Sequence, residues 1–378
     1  MVVYNGVVNV DYLVIGGGIA GTTAAETLRT QDQASSIVIL ENEAHPLYSR
    51  VQIPYYLRGI KTRSDIFLRT LENYQEKNIT YQTNKEVTGL DTSTKTVTTS
   101  DNQTYTYKKL LITTGGSPKK LNKYKKEHSM QTVEDADNIL ADIKTAKSGV
   151  VVGSGFIALE FMETFMHHGL PTSLCVSKDG FWSSFLAKEV SDVILRVTSN
   201  RGVAVHRGTT PDFIDASDTI VGTGIGIDVS RSFIQKSGLH FDLGLVCDEF
   251  LRTVVPEVFV AGDLAKFFSK KLNRLVKYGN WTNALMSGKT AALNMLSIPT
   301  PYDNLSAYSI KPQGLAIVFL GFAGIDDKTV TKTEVYSDTE CAQFFIRDGK
   351  LDGCILVNKS LDRAKYQAII ESREPFTL

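Results

Sequence analysis

The sequence predicts an α/β protein with two doubly wound parallel-sheet domains and a smaller α+β domain after them. Three observations predict it. A compact apolar run, Tyr12-Leu13-Val14-Ile15, opens onto Gly16-Gly17-Gly18-Ile19-Ala20-Gly21 and then a helix-forming stretch, Thr22–Leu28. The same order returns when Val150-Val151-Val152 runs into Gly153-Ser154-Gly155-Phe156-Ile157-Ala158. Residues 299–378 abandon that theme and alternate in strand fashion, as in Gln343-Phe344-Phe345-Ile346 and Gly353-Cys354-Ile355-Leu356-Val357.

Residues 1–41 make the first βαβ unit, because a second apolar run, Ile37–Leu40, ends on Glu41. Strand, glycine turn, helix, strand and terminal acid form the Rossmann-like dinucleotide fingerprint in its required context. Gly16 permits the tight turn, Gly18 lets backbone approach a pyrophosphate, and Gly21 lets helix pack on strand. Ile19 and Ala20, between the second and third glycines, are taken as cofactor contacts beside the helix N-terminus, whose N–H groups and dipole attract phosphate. Glu41, with Asn42 beside it, stands where an acid bonds a ribose diol.

The segment His45–Gly59 is aromatic, punctuated by Pro46 and Pro54, and too apolar for a plain surface loop. A polar helix is expected around Ser64–Lys77. Residues 79–113 are rich in Thr, Val and Tyr and broken by Gly89, Asp91 and Asp101-Asn102, the mark of short antiparallel strands inserted in the α/β plan. Val87, in this insert, is taken as a cofactor contact. The insert closes on Leu110-Leu111-Ile112 and Thr113-Thr114-Gly115-Gly116-Ser117-Pro118, and the Lys-rich stretch 119–126 reads as a solvated linker.

In the second unit Ala158 stands at the third glycine position, which the motif tolerates. Its helix runs to about His168 and Gly169 stops it. The next strand is Thr172–Val176. A helix over Leu186–Asn200 and short strands near Val203–Val205 and Thr219–Val221 complete the second domain, and the turn Gly222–Gly226 follows. Phe259-Val260-Ala261-Gly262-Asp263 reads as a buried strand ending on an acid, placed to bond the ribityl chain of a flavin. A helix is expected over Trp281–Leu296, a boundary at Pro299-Thr300-Pro301, and a last helix near Leu361–Glu371.

Bulk properties narrow the function. Lys plus Arg and Asp plus Glu are both 41, so no global basic field points to nucleic acid or an anionic membrane. The run Leu315–Leu320 is too short to span a bilayer. The four cysteines contain no CxxC pair, so no metal site or secreted disulfide framework is expected, and a reducing cytoplasm fits.

Taken together, these motifs resemble the FAD- and NAD(P)H-dependent pyridine nucleotide–disulfide oxidoreductase superfamily over nearly the whole chain. The resemblance rests on Gly16-x-Gly18-x-x-Gly21 with Glu41, Thr113-Thr114-Gly115-Gly116, Gly153-x-Gly155-x-x-Ala158-x-Glu160, and Thr253 with Phe259–Asp263. It implies an FAD domain of residues 1–117 and 246–298, an NAD(P)H domain of residues 118–245, and a C-terminal interface domain of residues 299–378. Dithiol members look like Cys-x4-Cys after the first βαβ unit, and coenzyme A disulfide reductases carry a Cys three residues before Pro-Tyr-Tyr. Here residues 41–80 hold no Cys, and Val51 stands three residues before Pro54-Tyr55-Tyr56, so no cysteine shuttle is expected. What remains is similar to the rubredoxin and ferredoxin reductases and the flavin portion of assimilatory nitrite reductases, which share a segment like Tyr48-x-Arg50-Val51-Gln52. Tyr55 stands where ferredoxin reductases often place a Lys.

The resemblance implies hydride transfer from NAD(P)H to FAD N5 and then electron delivery to a separate acceptor such as rubredoxin or ferredoxin. Glu160 and Arg50 are its catalytic candidates. Glu160 orients the nicotinamide carboxamide on this reading, or is a helix-start acid favoured by the dipole; Arg50 approaches the flavin, or makes a surface salt bridge. Further FAD contacts implied are Val87, Thr114, Gly115, Gly262, Asp263 and Trp281, the last equally readable as core. Gly153, Gly155, Phe156, Ile157, Lys178 and Gly224 would contact the nicotinamide dinucleotide. Val176 replaces the acid that selects NAD, and Lys178 lies close by, a slight tilt toward NADPH that leaves Asp179 as an alternative ribose acceptor. Other readings are a redox-signalling flavoprotein of the apoptosis-inducing-factor kind and a flavin relay within a larger reductase. Monomer and homodimer are both compatible with the sequence.

Overall fold

The computed structural model describes the backbone of residues 2–4 and residues 6–377 in full. The chain forms two compact units. One takes residues up to Ser49, then Ser64–Ser117 and Asp228–Asn304; the other takes Arg50–Arg63, Pro118–Ile227 and Leu305–Leu378.

The first unit is built on a parallel sheet. Val7–Ile15 lies between Ile37–Leu40 and Thr104–Ile112, with Leu13 beside both Val38 and Leu110. Thr80–Gln82 extends the sheet past Ile37–Leu40. Every residue of Ile37–Leu40 is buried, as in a parallel strand covered on both faces. Thr104–Ile112 has two sets of neighbours. Its first residues pair antiparallel with Thr96–Thr99, which pairs in turn with Val87–Asp91; its last pair parallel with Val258–Val260. The helix Ile19–Gln31 packs on this sheet and against the helix Trp281–Met295. That crossing is close, since a Cβ on Gly288 would collide with the Ala20 carbonyl. The polar helix expected from Ser64 to Lys77 is two pieces, a 3-10 turn at Ser64–Ile66 and a helix at Leu71–Glu76. Thr70 starts the second through a capping box with Asn73.

The second unit holds another parallel sheet, in the order Ala204–Arg207, Thr172–Val176, Ser148–Gly153, Thr219–Gly224, Glu127–His128. Helices Val133–Ile143, Phe156–His167 and Lys188–Asn200 belong to the same unit. The Lys-rich stretch is ordered around Glu127, whose carboxylate accepts from Leu121 N at 2.8 Å and Lys123 N at 3.0 Å. A five-stranded antiparallel sheet of Ala307–Ile310, Ile317–Gly321, Lys350–Val357, Cys341–Arg347 and Thr329–Val335 is backed by the helix Arg363–Ser372. It packs on Lys188–Asn200. Gln343 joins them, accepting from Ala187 N at 2.7 Å and donating to the Phe185 carbonyl at 2.8 Å.

Two boundaries differ from the sequence expectation. Residues 228–245 pack in the first unit, and residues 50–63 pack in the second. The second difference has a polar cause. Tyr56 donates to Asp137 at 2.8 Å, Arg63 pairs with Asp137 at 2.9 Å, and His168 Nε2 lies 2.7 Å from the Leu57 carbonyl. The short helix Ile53–Leu57 therefore sits on Val133–Ile143 and Phe156–His167. Among the described residues no helix is long and apolar enough to cross a membrane.

Candidate functional site

Each parallel sheet carries one glycine turn. In the first unit the chain leaves its strand at Gly16, with a φ of 100° that suits glycine. A Cβ there would stand 2.5 Å from the Thr113 carbonyl, and one on Gly21 would collide with the Gly16 carbonyl. Gly18 instead faces open space. Thr113 fastens the turn, its hydroxyl 2.8 Å from the Gly16 carbonyl and 3.0 Å from that of Ile15. The adjacent Thr114 hydroxyl is buried and has no hydrogen-bond partner. The open face of Gly18 fits a ligand that needs close backbone approach, such as the FAD pyrophosphate.

Glu41 is 6% exposed and accepts from Gly17 N at 2.6 Å and Glu43 N at 3.0 Å. Asn42 beside it is exposed. Lys85 N donates to the Glu41 carbonyl at 2.8 Å and Asn84 N to the Glu43 carbonyl at 3.0 Å, which brings the strand beginning at the buried Val87 to the same place. Ile19 is half-buried, whereas Ala20 is buried under the Trp281–Met295 helix. Gly262 N donates to Ser287 Oγ at 3.0 Å, and a Cβ on Gly262 would lie 3.3 Å from that of Ala20. This sets Gly262 and Asp263 beside the first helix. Trp281 is half-buried at the start of its helix, capped by Asn280. Gly115 lies in a left-handed bend after Thr114. Sequence reasoning passed over Thr113 as a positioning residue and over Lys277. Burial pushes the Lys277 ammonium down, and the Asp263 charge opposes that shift; an isolated Lys before a helix carries no motif to mark it.

In the second unit Gly153 has a φ of 139°, and a Cβ on it would collide with the Gly224 carbonyl. Gly224 lies against the helix start, a Cβ on it falling 2.6 Å from Ala158 N. Gly224, at the end of the neighbouring strand, thus packs on the turn that holds Gly153, Gly155 and Phe156, with Ile157 exposed just beyond. At Gly155 a Cβ would meet the Trp182 Nε1 at 3.6 Å. Glu160, one helical turn further, pairs with Arg58 at 2.8 Å, and the two side chains are 23% and 14% exposed. Burial pushes the Glu160 carboxyl up and the Arg58 guanidinium opposes it. Arg58 also lies over the Tyr55 ring, 5.3 Å from its centroid. Arg58 was not singled out from the sequence, since nothing local marks a partner 102 residues away. Arg50 Nη1 donates to the Gln131 carbonyl at 2.7 Å. Lys178 is exposed in the turn after the strand that ends on the buried Val176.

All four cysteines are free and buried. Burial pushes Cys175 up to about 11 and Cys341 up to about 12, and raises Cys247 and Cys354 as well. Such thiols are poor nucleophiles at neutral pH.

A family model for pyridine nucleotide-disulphide oxidoreductases matches residues 10–288. Human apoptosis-inducing factor 3 is 27% identical over 342 residues, which is 84% of this chain and 56% of that protein. The ferredoxin–NAD(+) reductase component of the Pseudomonas putida p-cumate 2,3-dioxygenase system is 23% identical over 377 residues, 96% of this chain and 93% of that one. The chain spans about half the length of several curated relatives it matches. The crystal structure of NADH:rubredoxin oxidoreductase from Clostridium acetobutylicum superposes with a TM-score of 0.85 at 20% identity, covering 98% of this chain and 97% of that one, which shows the fold.

Proposed function

This chain belongs to the pyridine nucleotide-disulphide oxidoreductase family, and on that premise we propose that it is an FAD-dependent NAD(P)H oxidoreductase serving a separate small electron carrier. A rubredoxin or ferredoxin is the acceptor class. The observation that carries the reading is a glycine turn in each of two parallel sheets combined with thiols that are all buried. When bound, the nicotinamide supplies hydride, and the flavin accepts it and links two-electron to one-electron chemistry.

The chain supplies binding and orientation. Gly16–Gly18 and the helix start at Ile19 hold the FAD pyrophosphate, Glu41 takes a ribose, Thr114 and Gly115 flank the cradle, and Asp263 takes the ribityl chain. Gly153–Phe156 and Gly224 hold the nicotinamide dinucleotide, and Glu160, fixed by Arg58, orients the carboxamide. Thiols that are all buried speak against a cysteine relay and support a separate acceptor molecule. The names of two relatives, a ferredoxin–NAD(+) reductase component and an NADH:rubredoxin oxidoreductase, support that class of acceptor. Reduced, buried cysteines support a cytoplasmic location.

Anaerobic titration of the flavin-loaded protein tests the reading. NADH or NADPH should bleach the flavin absorption, and oxidised rubredoxin or ferredoxin should restore it over many turnovers. If neither nucleotide bleaches the flavin, the proposal fails. A long-lived reduced complex with slow turnover would instead support a signalling flavoprotein.

A further inference from the structure

We propose that Trp182 is a phosphate-binding residue of the second glycine turn, its indole N–H donating to the pyrophosphate of the nicotinamide dinucleotide. This rests on the oxidoreductase reading above.

The two turns differ in what faces their second glycine. The face of Gly18 is open, with nothing within 4 Å of an added Cβ, whereas at Gly155 the corresponding Cβ would meet Trp182 Nε1 at 3.6 Å and no other atom. The second glycine of the fingerprint lacks a side chain so that a pyrophosphate can come close. A nitrogen at that distance from the missing Cβ therefore borders the place of the phosphate. The indole nitrogen is a donor only, and it has no acceptor among the described residues. The nitrogen is not among the buried side-chain atoms that lack a partner, so it is not sealed in the packing and a ligand at the turn can reach it.

The indole is held in position from several sides. The Trp182 backbone sits at a φ of 42°, which is uncommon for a bulky residue. Such conformations persist only where the surroundings impose them, and they concentrate at ligand sites. Trp182 N donates to the Ser154 carbonyl at 3.1 Å, inside the glycine turn itself. Its own carbonyl accepts from Phe185 N at 3.0 Å and Leu186 N at 2.9 Å. The ring packs on Phe156 at 4.9 Å, Phe319 at 5.3 Å and Phe181 at 5.5 Å between centroids. A ring acting as a plug would have to break these contacts for the dinucleotide to enter. A ring acting as a donor keeps all of them and gains a charge-assisted hydrogen bond.

Calorimetric binding to the flavin-loaded protein tests this with two probes, ADP-ribose, which carries the pyrophosphate, and adenosine, which does not. Trp182→Phe keeps an aromatic ring and removes the donor. It should weaken ADP-ribose about tenfold, the ordinary value of one charge-assisted hydrogen bond, and leave adenosine affinity and flavin content as in the unmodified protein. Equal ADP-ribose affinity in Trp182→Phe would overturn the inference. So would tighter binding by Trp182→Ala, which identifies a plug, or equal weakening of both probes, which identifies a purely structural residue. If the unmodified protein binds neither ADP-ribose nor NADH, the oxidoreductase reading fails and Trp182 with it. If it binds both and only the variant result is absent, Trp182 alone is wrong.

Discussion

Gly18 and Gly21 lie in one turn, yet a methyl group on each meets opposite surroundings. Open space faces Gly18, and the Gly16 carbonyl faces Gly21. Gly18→Ala should therefore fold with an unchanged apo melting midpoint and lose FAD occupancy, read by flavin content after purification. Gly21→Ala should lower the apo midpoint, at a cost of about 1–3 kcal/mol typical of overpacking. The Arg58–Glu160 pair makes a second contrast. Arg58→Met leaves the half-buried Glu160 without its cation, and a pair with this exposure should lose about 1–2 kcal/mol, between the values of surface and fully buried pairs. Burial already raises the Glu160 carboxyl. The loss is therefore full at pH values where Glu160 is ionised, and it shrinks as the pH falls and the carboxyl protonates. Denaturant unfolding across pH should show this slope, and adding Glu160→Gln should abolish it. Glu160 was legible in the sequence from its place after the second fingerprint. Arg58 was not, because its role depends on how residues 50–63 pack, which no local pattern encodes.

The helix Ile19–Gln31 is closed at its C-terminal end by Asp32, whose side chain accepts from Ala34 N and Ser35 N at 3.0 Å each and from the Tyr12 hydroxyl at 3.2 Å. Hydrogen bonds from the Ser35 side chain and backbone hold its carboxyl at about 2, against an ordinary 3.8. A depressed carboxyl contributes stability that is present above its ordinary value and lost as the pH falls toward the depressed one. The midpoint gap between the unmodified protein and Asp32→Ala should accordingly be full at about pH 5 and narrower by about pH 3. A gap independent of pH would show that the cap acts without its charge. At the other face of this helix, Gly288→Ala would push against the Ala20 carbonyl. Glycine-to-alanine changes inside helices usually stabilise; here the close crossing reverses the sign. Both parallel sheets were legible from short apolar runs that end in glycine turns. The stretch Ser64–Lys77 reads as one helix because its polarity pattern is continuous, while the Thr70 capping box that starts its second piece is a matter of side-chain geometry.

At the scale of the whole chain, cofactor and fold are thermodynamically linked. A ligand that binds only the folded form stabilises it by roughly 4 kcal/mol when free ligand is ~1,000-fold above its Kd. Stripped of flavin and titrated with FAD, the protein should show a midpoint that rises with the logarithm of FAD concentration, measured by calorimetry; no rise would mean that the first turn does not hold FAD. The α/β plan and its two nucleotide domains were readable from motif order. The membership of residues 50–63 and 228–245 was not, because these segments are assigned by long-range polar and apolar contacts. The C-terminal sheet shows the same limit. Its strands alternate legibly, but its attachment to Lys188–Asn200 through Gln343 joins residues 156 apart.

The strand Thr104–Ile112 carries a further consequence, for the order in which the chain acquires structure. Its last residues Leu110, Leu111 and Ile112 take as partners Val258, Phe259 and Val260. On a ribosome synthesising about 5–20 residues per second, those partners emerge many seconds after the strand itself. Throughout that interval Leu110–Ile112 is a bare, apolar sheet edge of the kind that pairs with other chains. The second unit's parallel sheet, complete by Gly224, closes before the first can. Nascent chains stalled before residue 258 should therefore aggregate or bind chaperones through the N-terminal segment, and release past it should relieve them.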